Sequence, residues 1–241
     1  MNHFIKTYEL TASSHLELPS NLSKIPLEAN LHLPDKPNIY PNLELASHIG
    51  NRNLGITFSV GNHYHSGNLE LITQDLSKYL NVIQIQLNIT ELLIVSGPTV
   101  KKIDTLNILN CLSSSEIKAK IRPKLTISVA YNCNSSDQTK ENERLTKKLE
   151  HQIVNKVYIQ ITDNFQKITV GIKFIQSLNT VIEICVCIFE PTKASLAKFI
   201  FRPWKGVVLS DRFLKSEKNA KQINQINQQK LNQLKLNVIL N

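Results

Sequence analysis

Residues 182–188 read IEICVCI, a run in which every position but Glu183 is apolar. A half-wet antiparallel strand alternates apolar with polar residues, whereas a parallel strand covered on both faces is apolar nearly throughout. This run is of the second kind, and Cys185 and Cys187, two apart, share one face of it as small buried side chains. Working outward, seven more β-rich runs recur along the chain, at residues 5–11, 27–33, 55–60, 92–96, 125–131, 157–161 and 207–209. Between them lie stretches with helical spacing, at 41–49, 69–80, 104–112, 137–153, 165–178 and 193–201, and a final polar helix opens at Asp211. Local signals support several of these helices. Pro41 suits a helix start, Asn68 caps the apolar positions 69, 72, 76 and 80, and Asp163 or Asn164 can cap the helix from Phe165. The first unit is the weakest, since 13–26 has room for only a turn or two.

Strand and helix alternating eight times in 241 residues matches a single-domain (β/α)8 TIM barrel spanning 1–241, with 211–241 as a polar C-terminal helical segment packed on the barrel or at an interface. A doubly wound open sheet is the competitor, weakened because no GxGxxG or GxxxxGK[ST] phosphate loop occurs. A hydrophobic content of 41% supports a real core, and no apolar run approaches the roughly 20 residues of a bilayer crossing. No secretory signal is visible in residues 1–25, so the expected location is cytoplasmic. The excess of 28 Lys and Arg over 19 Asp and Glu gives +9, but the basic residues are scattered and densest in 193–230, where Asn and Gln dilute them. A dedicated nucleic-acid function is therefore not the favoured reading. Four cysteines without CxxC spacing point to reduced core residues rather than a metal site.

In a barrel the chemistry gathers at the C-terminal strand ends. Those ends offer Glu9; Thr57 and Ser59, with His63 and His65 in the next loop; Ser96 and Gly97; Tyr131 and Asn132; Gln160, Thr162 and Asp163; and Glu183 with Glu190. Glu9 is a carboxylate within a β-rich run, and in a partly desolvated mouth its pKa would rise toward general-acid use. Gln160 interrupts an apolar run, so its amide must find partners, whether in the core or in a ligand. The His63/His65 pair has two-ligand spacing, although a solvated loop explains it as well.

The stretch 127–165, with SVAYNCN followed by ENERLTKKLEHQIVNKVYIQITDNF, resembles the methylenetetrahydrofolate reductase family, as do KTYELTA at 6–12, LLIVSG at 92–97, FEPTKASLAKF at 189–199 and GVVLSDRFL at 206–214. The resemblance is diffuse and spans nearly the whole chain. It implies a flavin-dependent barrel that reduces 5,10-methylenetetrahydrofolate to the 5-methyl form, with NADH or NADPH as the ultimate donor through bound FAD. It assigns Glu9 as the acid that protonates the folate and Gln160 as a pterin ligand. Leu196 falls where the family sets an aromatic ring against the benzoyl group. Thr57, Gly97, Asn132, Arg144 and Lys148 fall on the flavin side. Two of these positions depart from the family pattern: Thr57 replaces a histidine, and Gly97 is followed by Pro98 instead of an aspartate. The second function weighed is a catalytically eroded barrel that serves as a folate-binding or partner-binding subunit. Folate and a nicotinamide are thus the expected partners, with no membrane among them and the oligomeric state open.

Overall fold

The computed structural model describes residues 7–9, 30–34, 54–59, 69–85, 89–96, 103–121, 123–178, 181–234 and 238–240. Its strands are β1 (Thr7–Glu9), β2 (Asn30–Pro34), β3 (Leu54–Ser59), β4 (Glu91–Val95), β5 (Thr126–Tyr131), β6 (Val154–Ile159), β7 (Glu183–Ile188) and β8 (Val238–Leu240). Its helices are α1 (Leu69–Ile85), α2 (Thr105–Ser113), α3 (Ser115–Lys118), α4 (Gln138–Glu150), α5 (Phe165–Ser177), α6 (Lys193–Phe201), α7 (Asp211–Leu214) and α8 (Glu217–Gln233). The strands follow one another in sequence order, β1 to β8, and all the recorded registers are parallel.

The α/β class stands, but the closed barrel does not. The strands are hydrogen-bonded neighbours in chain order, and among the described residues no register joins β8 back to β1. The sheet is open and all-parallel. Closure needs edge strands of matched length and stagger, and among the described residues each edge offers three, Thr7–Glu9 and Val238–Leu240. The run at 207–209 is not the eighth strand either. Gly206 sits at φ +80° just before it, and the run makes a single bridge, Val208 with Thr162. The place beside β7 goes to Val238–Leu240, through Val186↔Val238, Cys187↔Ile239 and Ile188↔Leu240. The polar tail is therefore a helix followed by a strand.

The chain forms two compact units. One holds residues 7–129 and 147–155. Its core takes Leu54, Ile56 and Phe58 from β3, Leu92 and Ile94 from β4, and Leu76 and Leu80 from α1. α2 starts on a capping box in which Asp104 accepts from the Leu106 and Asn107 N–H groups. On the other face of its sheet, the buried Glu91 carboxylate accepts a 2.7 Å bond from the Ser128 hydroxyl, the kind of partner that a buried charge requires.

The second unit holds 130–146 and 156–241, and the candidate site lies in it. Ile159, Val186 and Ile188 are buried here with Ile168, Ile172 and Ile175 from α5, and Cys185 and Cys187 are buried free thiols, as the sequence reading expects. α5 is capped by Asn164, whose side chain accepts from the Lys167 N–H, and α6 by a Thr192/Ser195 capping box. Lys156 and Glu183, opposite each other in the β6–β7 register, form a 3.4 Å ion pair. The helices expected at 13–26 and 41–49, the loop 61–68 and Gly97 lie outside the described residues. Among the described residues, no helix is long and apolar enough to cross a membrane.

Candidate functional site

Side chains alternate across a strand, so the C-terminal end of β5 sends Tyr131 and Asn132 to opposite faces. Tyr131 goes into the core on the helix side, where its ring stacks on Phe174 at 6.1 Å. That approach requires Gly171 on α5, because a Cβ there would stand 2.9 Å from the Tyr131 ring. The Tyr131 hydroxyl donates to Asn142 Oδ1 at 2.7 Å and accepts from Gln138 Nε2 at 2.7 Å, both on α4. A cleft of about 310 Å³ lies on this side, lined by Tyr131, Cys133, Gln138, Lys167 and Gly171 among others. Its acidic groups are not poised for chemistry near neutrality. Burial, then the Cys133 and Glu141 charges, push Tyr131 up to about 12. Burial lifts the Cys133 thiol to about 11 against the pull of Lys167, so no thiolate forms at neutral pH.

On the other face, Asn132 begins a short polar turn. Its N–H donates to Glu141 Oε1 at 2.9 Å, its side-chain oxygen accepts from the Asn134 N–H at 3.0 Å, and its carbonyl accepts from Ser135 N–H at 3.1 Å. Asn134 then reaches away from β5: its Nδ2 donates to Ile161 O at 2.9 Å and to Gly206 O at 3.0 Å. Gln160, immediately past β6, donates its N–H to Tyr131 O at 2.8 Å, while its side-chain oxygen accepts from the Ile161 N–H at 3.0 Å. The two carboxamides therefore have their oxygens committed to backbone, and among the described residues neither Asn132 Nδ2 nor Gln160 Nε2 has a hydrogen-bond partner. Both NH₂ groups turn to one place. A Cβ on Gly206 would lie 3.3 Å from Asn132 Nδ2 and 3.4 Å from Gln160 Nε2. Gly206 is held there by the Asn134 bond, by the Val208–Thr162 bridge and by Asp163, whose carboxylate accepts the Ser210 N–H at 3.0 Å and the Ser210 hydroxyl. α8 adds a bond from Asn227 Nδ2 to Asp163 O at 2.9 Å.

Of the residues singled out in the sequence, the structure thus brings Asn132 and Gln160 together. Glu9 ends β1, paired in register with His32, and Thr57 is in β3, paired with Leu93. Leu196 is a buried residue of α6. Arg144 and Lys148 sit one turn apart on α4, with Lys148 buried at 6% exposure. The α4 side chain that reaches Asn132 is Glu141, which the sequence reading did not single out. Asn134 and Gly206 also escaped it, and the Asn-Cys-Asn spacing at 132–134 was the available signal.

No family model and no curated protein matches the chain. Among solved structures, an uncharacterized protein from Clostridium thermocellum that binds two copies of 5-methyl-5,6,7,8-tetrahydrofolic acid is similar over 98% of this chain and 87% of its own, at 12% identity and a TM-score of 0.67. The intracellular xylanase TsXylA of Thermoanaerobacterium saccharolyticum is similar over 99% of this chain and 85% of its own, at 11% identity and a TM-score of 0.54. These likenesses are of fold. A folate binder and a xylanase both carry it, so the fold alone does not select the function.

Proposed function

We propose that this chain binds a reduced folate at the ends of β5 and β6, with the Asn132 and Gln160 amides contacting the pterin. The observation that carries this reading is the pair of NH₂ groups converging beside Gly206 with their oxygens already committed. Fixed oxygens set the rotamers, so each amide is a preoriented donor, suited to the ring nitrogens and carbonyl of a flat, hydrogen-bonding heterocycle. The likeness to a protein that binds 5-methyltetrahydrofolate supports the choice of ligand.

A second reading, reduction of 5,10-methylenetetrahydrofolate with NADH or NADPH through FAD, draws on one observation: Glu9 stands at the C-terminal end of its strand, where a general acid would be wanted. Calorimetric titration with 5-methyltetrahydrofolate tests the first reading. Saturable binding is expected, weakened about tenfold by Gln160→Leu, which removes one donor, and heats no larger than dilution would reject it. Folate-dependent oxidation of NADH or NADPH by the purified protein, lost in Glu9→Gln, would move the assignment to the reductase.

A further inference from the structure

The outer surface of α6 and the turn after it carry a set of side chains that the folate reading does not use. Phe201 is 91% exposed, Ile200 58%, Trp204 43% and Val208 47%. They follow one another along one short stretch of the chain. Ile200 and Phe201 end the helix, and the Val207 N–H donates back to Trp204 O at 3.1 Å in a tight turn. Trp204 is anchored from behind by Phe189 at 5.3 Å and Phe199 at 5.8 Å, so its ring is held in place. Lys198, Arg202 and Lys205 are interleaved with it, all exposed, and none of the three has an ion-pair partner among the described residues. No Asp or Glu occurs between Glu190 and Asp211.

We propose that this face docks on the surface of a bilayer containing anionic lipid. Exposed apolar patches of this kind mark interaction sites. Interleaved Lys and Arg around Phe, Trp and aliphatic side chains fit the boundary between headgroups and acyl chains, where the rings and aliphatics enter and the long cationic stems reach back to phosphate. Other occupants fit less well. A single-stranded nucleic acid stacks successive bases on several open ring faces, but Phe201 alone offers one here: Trp204 is wedged among two phenylalanines, and Ile200 and Val208 have no ring. A second copy of the chain meeting this one across a two-fold axis would bring Lys198, Arg202 and Lys205 against themselves. The sequence, which has no segment able to cross a bilayer, led to the expectation of no membrane partner. Docking on a surface needs no such segment, and it depends on exposure, which composition does not reveal.

Trp204 is the only tryptophan in the chain, so its emission reports on this patch alone. The test adds vesicles to the full-length protein, either phosphatidylcholine alone or phosphatidylcholine with one-third phosphatidylglycerol. The expected result is a blue shift with the anionic vesicles, much weaker with the zwitterionic ones and reversed by high salt. Replacing Lys198, Arg202 and Lys205 together by Glu should weaken partitioning at least on the order of a hundredfold. Phe201→Ser, at a side chain the fold does not bury, should weaken it about tenfold or more and keeps the question answerable if the triple variant misfolds. No shift with anionic vesicles overturns the proposal. So does a shift produced by an oligonucleotide but not by vesicles, or one that follows protein concentration without lipid.

Discussion

The turn after β5 and the turn after α6 are both short loops beside Gly206, and they use their side chains in opposite ways. In residues 131–135 almost every polar atom is bound to backbone or to α4, including Asn132 to Asn134, Asn134 to Ile161 and Gly206, and Tyr131 to Asn142. In residues 200–205 the apolar side chains stand in solvent, and among the described residues the cations have no ion-pair partner. The first loop is fixed by its own hydrogen bonds and leaves one donor over, Asn132 Nδ2, beside that of Gln160. The second is fixed from behind by a ring cluster and leaves its outer surface bare. A polar turn whose surplus is a pair of amides suits a small heterocycle, and an apolar, cationic rim suits an extended surface.

Substitutions should break this contrast in graded fashion. The largest effect is expected from Gly171→Ala, which places a methyl 2.9 Å from the Tyr131 ring. Overpacking against a buried ring should cost about 1–3 kcal/mol in urea unfolding, toward the upper end. Asn134→Ala strips a donor from Ile161 O and Gly206 O at once and should cost about 2 kcal/mol. It should also weaken ligand binding, because among the described residues Gly206 is then held by the Val208 bridge and the Asp163–Ser210 pair alone. Tyr131→Phe removes the bonds to Asn142 and Gln138 at a cost of about 1 kcal/mol, and it carries a pH signature. The Tyr131 pKa is raised from 10.0 to about 12, first by burial, so above pH 10 the unfolded chain releases this proton more readily than the folded one. Its contribution to stability is full below pH 10 and is lost as pH rises toward 12. The variant should lack that share of the alkaline decline in thermal unfolding scans. Phe201→Ser, in the other loop, should change stability by less than about 0.5 kcal/mol. A larger loss would mean that this side chain is part of the core.

Much of the fold was legible because its signals are local. IEICVCI announces a strand covered on both faces, and the run 193–201 with its Thr192 cap matches α6 residue for residue. The edges were not legible. VVL at 207–209 has strand composition, yet the positive φ of Gly206 and the Asp163–Ser210 contacts hold it as a single bridge. VIL at 238–240 follows a helix so polar that the eye extends the helix through it. The site divides in the same way. Asn132 and Gln160 could be named because strand ends are the expected place for ligand contacts. Asn134 could not, since its partners Ile161 and Gly206 are 27 and 72 residues away. Glu141 read as one more charge on a solvated helix face until its carboxylate was found on the Asn132 N–H.

The most direct test observes the side-chain amide resonances of Asn132 and Gln160 in ¹⁵N-labelled protein, assigned with Asn132→Asp and Gln160→Glu, during titration with 5-methyltetrahydrofolate. Both NH₂ signals should move together and saturate at the same ligand concentration. A titration in which ligand binds while these two signals stay still would place the folate elsewhere and contradict the account.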